Sequence, residues 1–137
     1  MTGLRTSLVA LVISLLSVPA LAGVGIFEYT TDVGDPAGIG STVLERIDLD
    51  GTVYYLITAG GHDIWNQWDQ FHYAYNPIAG DVRLEVSGEW VAAEDGWAKW
   101  GAMIRASTAG DAVNYMALVS KSNGTRYQYR SETGGYS

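Results

Sequence analysis

Asp95-Gly96-Trp97-Ala98-Lys99-Trp100-Gly101-Ala102-Met103-Ile104-Arg105-Ala106-Ser107 is the stretch on which the fold turns. At period two it separates into two faces. Ala98, Trp100, Ala102, Ile104 and Ala106 make an apolar row, and Lys99, Gly101, Met103 and Arg105 make the other. Strand side chains alternate between faces, so one face buries in a core and the other carries cations and a thioether. That pattern predicts an all-β chain of two antiparallel sheets packed as a β-sandwich, with function on the decorated polar face. Trp97 and Trp100 have opposite parity and are expected on opposite faces. The residues expected between the sheets are Trp100, Ile104, Val82, Leu84, Val86, Tyr127 and Tyr129. Truncation of Trp100 in such a core would cost about 3–5 kcal/mol.

Working outward, the chain is punctuated in the same way. Val24 to Tyr29 reads as a leading strand, and the Gly-rich stretch from Asp32 to Gly40 reads as a loop. Thr42–Ile47 and Thr52–Thr58 read as strands joined at Asp48-Leu49-Asp50-Gly51, where Asp-Gly favours a tight hairpin. Gly60 to Trp65 reads as a bend. Phe71-His72-Tyr73-Ala74-Tyr75 alternates and is ended by Pro77, which cannot donate to a ladder. Asp81-Val82-Arg83-Leu84-Glu85-Val86-Ser87 shows the cleanest alternation of all, with the three apolar residues in phase. Asn114–Ser120 and Thr125–Arg130 flank Asn123-Gly124, a strong hairpin signal. Helical periodicity of useful length is absent after the first residues.

Those first residues read as a signal peptide over 1–22. Arg5 supplies the positive region, Leu8 to Val18 the short apolar run, and Ala20-Leu21-Ala22 the small-residue cleavage site after Pro19. Export to a secreted, extracellular or periplasmic location follows, with Gly23 as the mature N-terminus, residues 23–137 as one β-sandwich domain and no membrane association after cleavage. The chain carries 15 acidic against 8 basic residues and has no cysteine. An acidic surface argues against nucleic acid, which needs a cationic footprint. Without cysteine, disulfide scaffolds and zinc–thiolate sites are excluded.

A longer run of residues resembles a known family. Gly61-x-Asp63-Ile64-Trp65, Asp69-x-Phe71-His72-Tyr73-x-Tyr75-x-Pro77-x-x-Gly80-Asp81, Trp97-Ala98-Lys99-x-Gly101-x-Met103-Ile104-Arg105-x-Ser107 and Gln128-Tyr129-Arg130 follow in order. They resemble the concanavalin A-like lectin/glucanase sandwiches, in the branch of bacterial secreted regulation-of-enolase-like domains of unknown function. The resemblance spans roughly residues 28 to 135 and implies a jelly-roll sandwich. The fold hosts lectins, glycosidases and passive modules alike, so function must come from the site. Trp100 stands where the family has a small residue. Members also continue for several strands beyond the position of Ser137, which implies an incomplete domain, its remaining strands lying downstream or in another chain. Open sheet edges in such a domain favour self-association.

If the strands pair as in that family, Lys99, Arg105, Gln128 and Arg130 share a concave sheet, with His72 nearby and Trp65 and Trp68 at its rim. Planar donors that bind hydroxyls, beside an aromatic that stacks on a pyranose face, could grip a polysaccharide or other glycan. The competing reading is a solvated sheet face with cross-strand ion pairs, or a buried network around Arg105. Catalysis finds less support. A glycosidase needs two carboxyls roughly 5–9.5 Å apart, whereas Glu85 and Glu89, four residues apart on a strand, stand about 13 Å apart. The E-x-D-x-x-E pattern of sandwich-fold glucanases is missing. Asp48-x-Asp50-Gly51 lacks the glycine and glutamate positions of a calcium loop. Calcium is the one cofactor with candidate ligands, Asp32 and Asp35. His62 and His72 lack the further ligands zinc requires. The sequence thus leads to an exported, non-catalytic binding module for a carbohydrate or surface polymer. The alternatives are a structural subunit assembled by edge-strand pairing and, less favoured, a glycoside hydrolase.

Overall fold

The computed structural model describes residues 23–137; the expected signal peptide, residues 1–22, lies outside them. The described chain is all-β, with antiparallel pairing throughout and no helix. Its strands are β1 (Tyr29–Val33), β2 (Ser41–Ile47), β3 (Val53–Thr58), β4 (Ile64–Trp65), β5 (Trp68–Asp69), β6 (Phe71–Tyr75), β7 (Lys99–Arg105), β8 (Asn114–Ser120) and β9 (Gly124–Arg130). They form three two-stranded ribbons, β1–β6, β2–β3 and β4–β5, and one three-stranded sheet in the order β7–β8–β9.

Local chemistry explains the joints. At the β2–β3 turn, Gly51 takes φ +86° and its N–H donates to the Asp48 carbonyl at 2.9 Å, as the Asp-Gly pair predicts. The Asp50 carboxylate accepts the Thr52 N–H at 2.9 Å, and this bond holds its pKa below the ordinary value. Gly124, at φ +75°, opens β9 after Asn123. The β4–β5 hairpin turns through Asn66 in the left-handed region, φ +54°, a conformation asparagine tolerates better than most residues.

Three expectations are corrected. The leading strand is Tyr29–Val33 rather than Val24–Tyr29, where only the bridge Val24–Phe27 forms. Residues 81–87 form no strand despite their alternation, and residues 81–89 are all exposed. The third correction reverses the sheet. In β7–β8–β9 the registers Trp100–Val119–Thr125, Ala102–Ala117–Tyr127 and Ile104–Tyr115–Tyr129 place the apolar rows on one face. That face is open: Ile104, Tyr115, Tyr127 and Tyr129 are exposed, Tyr127 at 67%. Val82, Leu84 and Val86 are exposed as well, and Trp100 is only partly covered.

The opposite face is the buried one. Met103, Asn114, Met116, Leu118, Ser120, Gln128 and Arg130 all point inward. Ile64, Met103, Met116 and Leu118 form the apolar core, with Phe71 and Tyr73 packed against it. The β4–β5 hairpin and β6 therefore lie over the face that carries the cations. The Tyr73 hydroxyl ties these layers by donating to the Met103 carbonyl at 3.0 Å.

Candidate functional site

The hairpin β4–β5 organises the site because its alternation sends two residues in and two out. Ile64 pairs with Asp69, and both are buried; Trp65 pairs with Trp68, and both are exposed, at 49% and 54%. Directly opposed residues of an antiparallel pair share a face. The two indoles therefore stand on the outer face of one hairpin.

Beneath them, Asp69 is a fully buried carboxylate between two guanidiniums. Arg130 binds it through both terminal nitrogens, Nη2 to Oδ1 at 2.7 Å and Nη1 to Oδ2 at 2.8 Å. Such a bidentate fork fixes direction as well as distance. Arg130 also donates from Nε to the Gly135 carbonyl, from Nη1 to the Gly110 and Ala112 carbonyls, and from Nη2 to the Asn66 carbonyl. Each of its nitrogens is thereby engaged. Arg105 Nη1 reaches Asp69 Oδ2 at 3.3 Å, and its remaining donors hold the Ser107 and Ala109 carbonyls. Asn114 Nδ2 donates to Asp69 Oδ2 at 3.2 Å. Burial pushes the Arg105 guanidinium below its ordinary pKa, against the opposing pull of Asp69. One carboxylate faces two cations here, and the backbone carbonyls around both guanidiniums offset the excess positive charge.

A second anchor lies at the other strand of the hairpin. Lys99 Nζ pairs with Asp63 Oδ1 and donates to the Ile64 carbonyl at 2.9 Å, which also accepts from Gln128 Nε2 at 2.6 Å. The Lys99 ammonium stands 5.7 Å from the centroid of the Trp65 ring, within cation–π range. On the other side of the hairpin, the Trp68 indole N–H donates to the Gly34 carbonyl at 3.1 Å. Gly110 lies so close beneath that ring that a Cβ there would come 2.5 Å from Cε2. Trp68 is thus seated on main chain and Trp65 lies beside the Lys99 ammonium, while both rings stay half exposed.

Lys99, Arg105, Gln128 and Arg130 share one sheet face, but that face is the interior, and their donors are engaged by Asp63, Asp69 and main-chain carbonyls. His72 sits apart from them. Its Nδ1 meets Asp32 Oδ1 at 2.8 Å, and its Nε2 meets the Thr42 hydroxyl at 3.0 Å. Acid, imidazole and hydroxyl stand here in the order of a nucleophilic triad. The Asp32 carboxylate also accepts the Gly40 N–H at 3.1 Å from each oxygen, and Thr42 is buried. The arrangement links Thr42 of β2 to Asp32 of β1 and His72 of β6. Asp35, the other calcium candidate, is exposed with φ +58°. Among the described residues, no group of three or more His, Asp or Glu side chains converges to hold a metal ion.

Sequence reasoning quoted Asp63 and Asp69 in the family resemblance but gave neither them nor Asn114 a role in the site. The available signal was electrostatic: an arginine on each of the two strands that flank β8, in phase with Met103 and Gln128, needs a buried acid if that face turns inward. Compared with known proteins, the chain matches no family model, no curated protein and no solved structure.

Proposed function

We propose that this is an exported, non-catalytic binding module that holds a polysaccharide through Trp65 and Trp68, on a sandwich of the concanavalin A-like kind. One observation carries the reading: two half-exposed indoles share the outer face of a two-residue hairpin whose inner residues are pinned by Arg130, Arg105, Lys99 and Gln128. Indole faces stack on the C–H faces of pyranose rings, and a rigid platform lowers the entropy lost on binding. The formal charge of −7 disfavours anionic polymers and points to a neutral glycan. The buried cations support the platform rather than touch the sugar, since their donors already have acceptors. Export is proposed from the sequence of residues 1–22, and N-terminal sequencing of secreted protein should begin at Gly23.

Affinity electrophoresis through gels cast with neutral polysaccharides tests the platform. Trp65→Ala is expected to weaken retention about tenfold, the equivalent of about 1.4 kcal/mol, while the melting temperature stays nearly constant because the ring is half in solvent. Equal retention of Trp65→Ala, Trp68→Ala and the unaltered protein on every polysaccharide tried would sink the proposal.

A further inference from the structure

Residues 81–87 read Asp-Val-Arg-Leu-Glu-Val-Ser, bracketed by Gly80, at φ +80°, and Gly88. The sequence has the alternation of a strand, yet among the described residues its backbone makes no hydrogen bond. Val82, Leu84 and Val86 are each about half exposed, and Arg83 pairs with Glu85 on the other side. Leu84 and Val86 stand over the open face of β7–β8–β9. There they line, with Trp100, Ala102, Ala117 and Val119, a cleft of ≈ 410 Å³. A strand-forming segment without a ladder thus lies beside an apolar face without a full covering layer.

We propose that two copies of the chain pair through residues 81–87 in an antiparallel ladder centred on Leu84. The two-fold axis places Leu84 opposite Leu84, Val82 opposite Val86, and Arg83 opposite Glu85 in both directions. Apolar residues meet apolar residues, Arg83 meets Glu85 on both sides of the axis, and Asp81 meets Ser87 at each end, the arrangement that stabilises cross-strand pairs. Competing registers lack this match. Sliding by one pair in the same phase sets Glu85 against Glu85 or Arg83 against Arg83, and parallel in-register pairing does both. A slip that moves the axis between residues sets apolar side chains against charged ones and mixes the two faces. Centring on Val82 pairs Asp81 with Arg83 but leaves only three residues of the segment in the ladder, so over its full seven residues the segment is self-complementary in one register, as an isologous contact requires. The paired strands would together lay six apolar side chains on one side, where Leu84 and Val86 already border Trp100 and Val119. A seven-residue ladder makes a small interface, so the dimer should be weak and concentration-dependent.

Sedimentation velocity on the protein, from about 1 µM to about 1 mM, reads the equilibrium across the range expected for a small interface. The expected result is a shift from one chain to two. Arg83→Glu and Glu85→Arg are each expected to raise the dissociation constant roughly tenfold or more by setting like charges across the ladder. Both side chains are well exposed, so the fold should be retained, as circular dichroism would show. An equimolar mixture of the two variants restores opposite charges at both positions and should recover dimer as a heterodimer. The double variant should recover it as a homodimer. A single chain at all concentrations overturns the proposal, as does unchanged dimerisation of either variant. Failure of both the mixture and the double variant to recover the dimer overturns it too.

Discussion

The two faces of the β7–β8–β9 sheet make the instructive comparison. One carries Trp100, Ile104, Tyr115, Tyr127 and Tyr129 and is largely open; the other carries Arg105, Arg130, Asn114 and Gln128 and is buried. Hydrophobicity alone would order them the other way. The buried face has its own apolar patch in Met103, Met116 and Leu118, which supplies the transfer free energy of a small core. What completes it is Asp69, arriving on the hairpin to pair both guanidiniums at once. The open face is not thereby misfolded, since exposed apolar area is common and a contiguous patch of it marks a contact surface. A buried cation face is stable only while its counter-charge is present. An exposed aromatic face is nearly indifferent to its own residues until a partner covers it.

Substitution at Asp69 breaks the comparison hardest. Asp69→Ala strands two guanidiniums away from water without a carboxylate and should cost about 3–5 kcal/mol in chemical denaturation. Leu118→Ala, a truncation on the same buried face, should cost about 2–4 kcal/mol through lost burial and a cavity. Denaturant midpoints that moved little for either would mean the buried face is wrongly chosen.

Tyr73 gives a smaller effect with a pH signature. Burial is the main cause that pushes its phenol above the ordinary value of 10.0, with Tyr75 adding to the rise and Arg105 opposing it. The native chain then keeps this proton at pH values where the unfolded chain has released it. The contribution is fully present below about pH 10 and is lost as the pH rises through the raised native value. Tyr73→Phe removes a hydrogen bond worth about 1 kcal/mol. It should also flatten part of the alkaline loss of stability that denaturant titrations show as the pH rises above about 10. An alkaline slope identical in both proteins would count against this.

The smallest change belongs to the open face. Tyr127→Ala and Ile104→Ala should each fall within about 0.5 kcal/mol of the unaltered protein, as exposed substitutions do. A loss of several kcal/mol at either position would show that this face is covered in solution, which calorimetry at low and high protein concentration would resolve.

Much of the strand layout was legible from alternation and turns. Phe71–Tyr75 and Asn114–Ser120 lie where the pattern placed them, and the turns at Gly51 and Gly124 form with the positive φ that Asp-Gly and Asn-Gly favour. The two-residue strands Ile64–Trp65 and Trp68–Asp69 were hidden, because two residues carry no period. Residues 81–87 show the converse. Their alternation is strong, but a strand needs a neighbour, and none pairs with it among the described residues.

The site divides along the same line. That Lys99, Arg105, Gln128 and Arg130 share a face follows from parity, a local property set by the two-residue repeat of the strand. Which face turns inward is not local, since each face of this sheet carries enough apolar surface to be buried. Tertiary structure decides it through Asp69, 36 residues from Arg105 and 61 from Arg130. Alternation along the chain therefore determined β7, β8 and β9 and their two faces. A single buried carboxylate, delivered from a distant hairpin, decided which of those faces became the interior, because two guanidiniums can leave water only where an acid and enough carbonyls receive them.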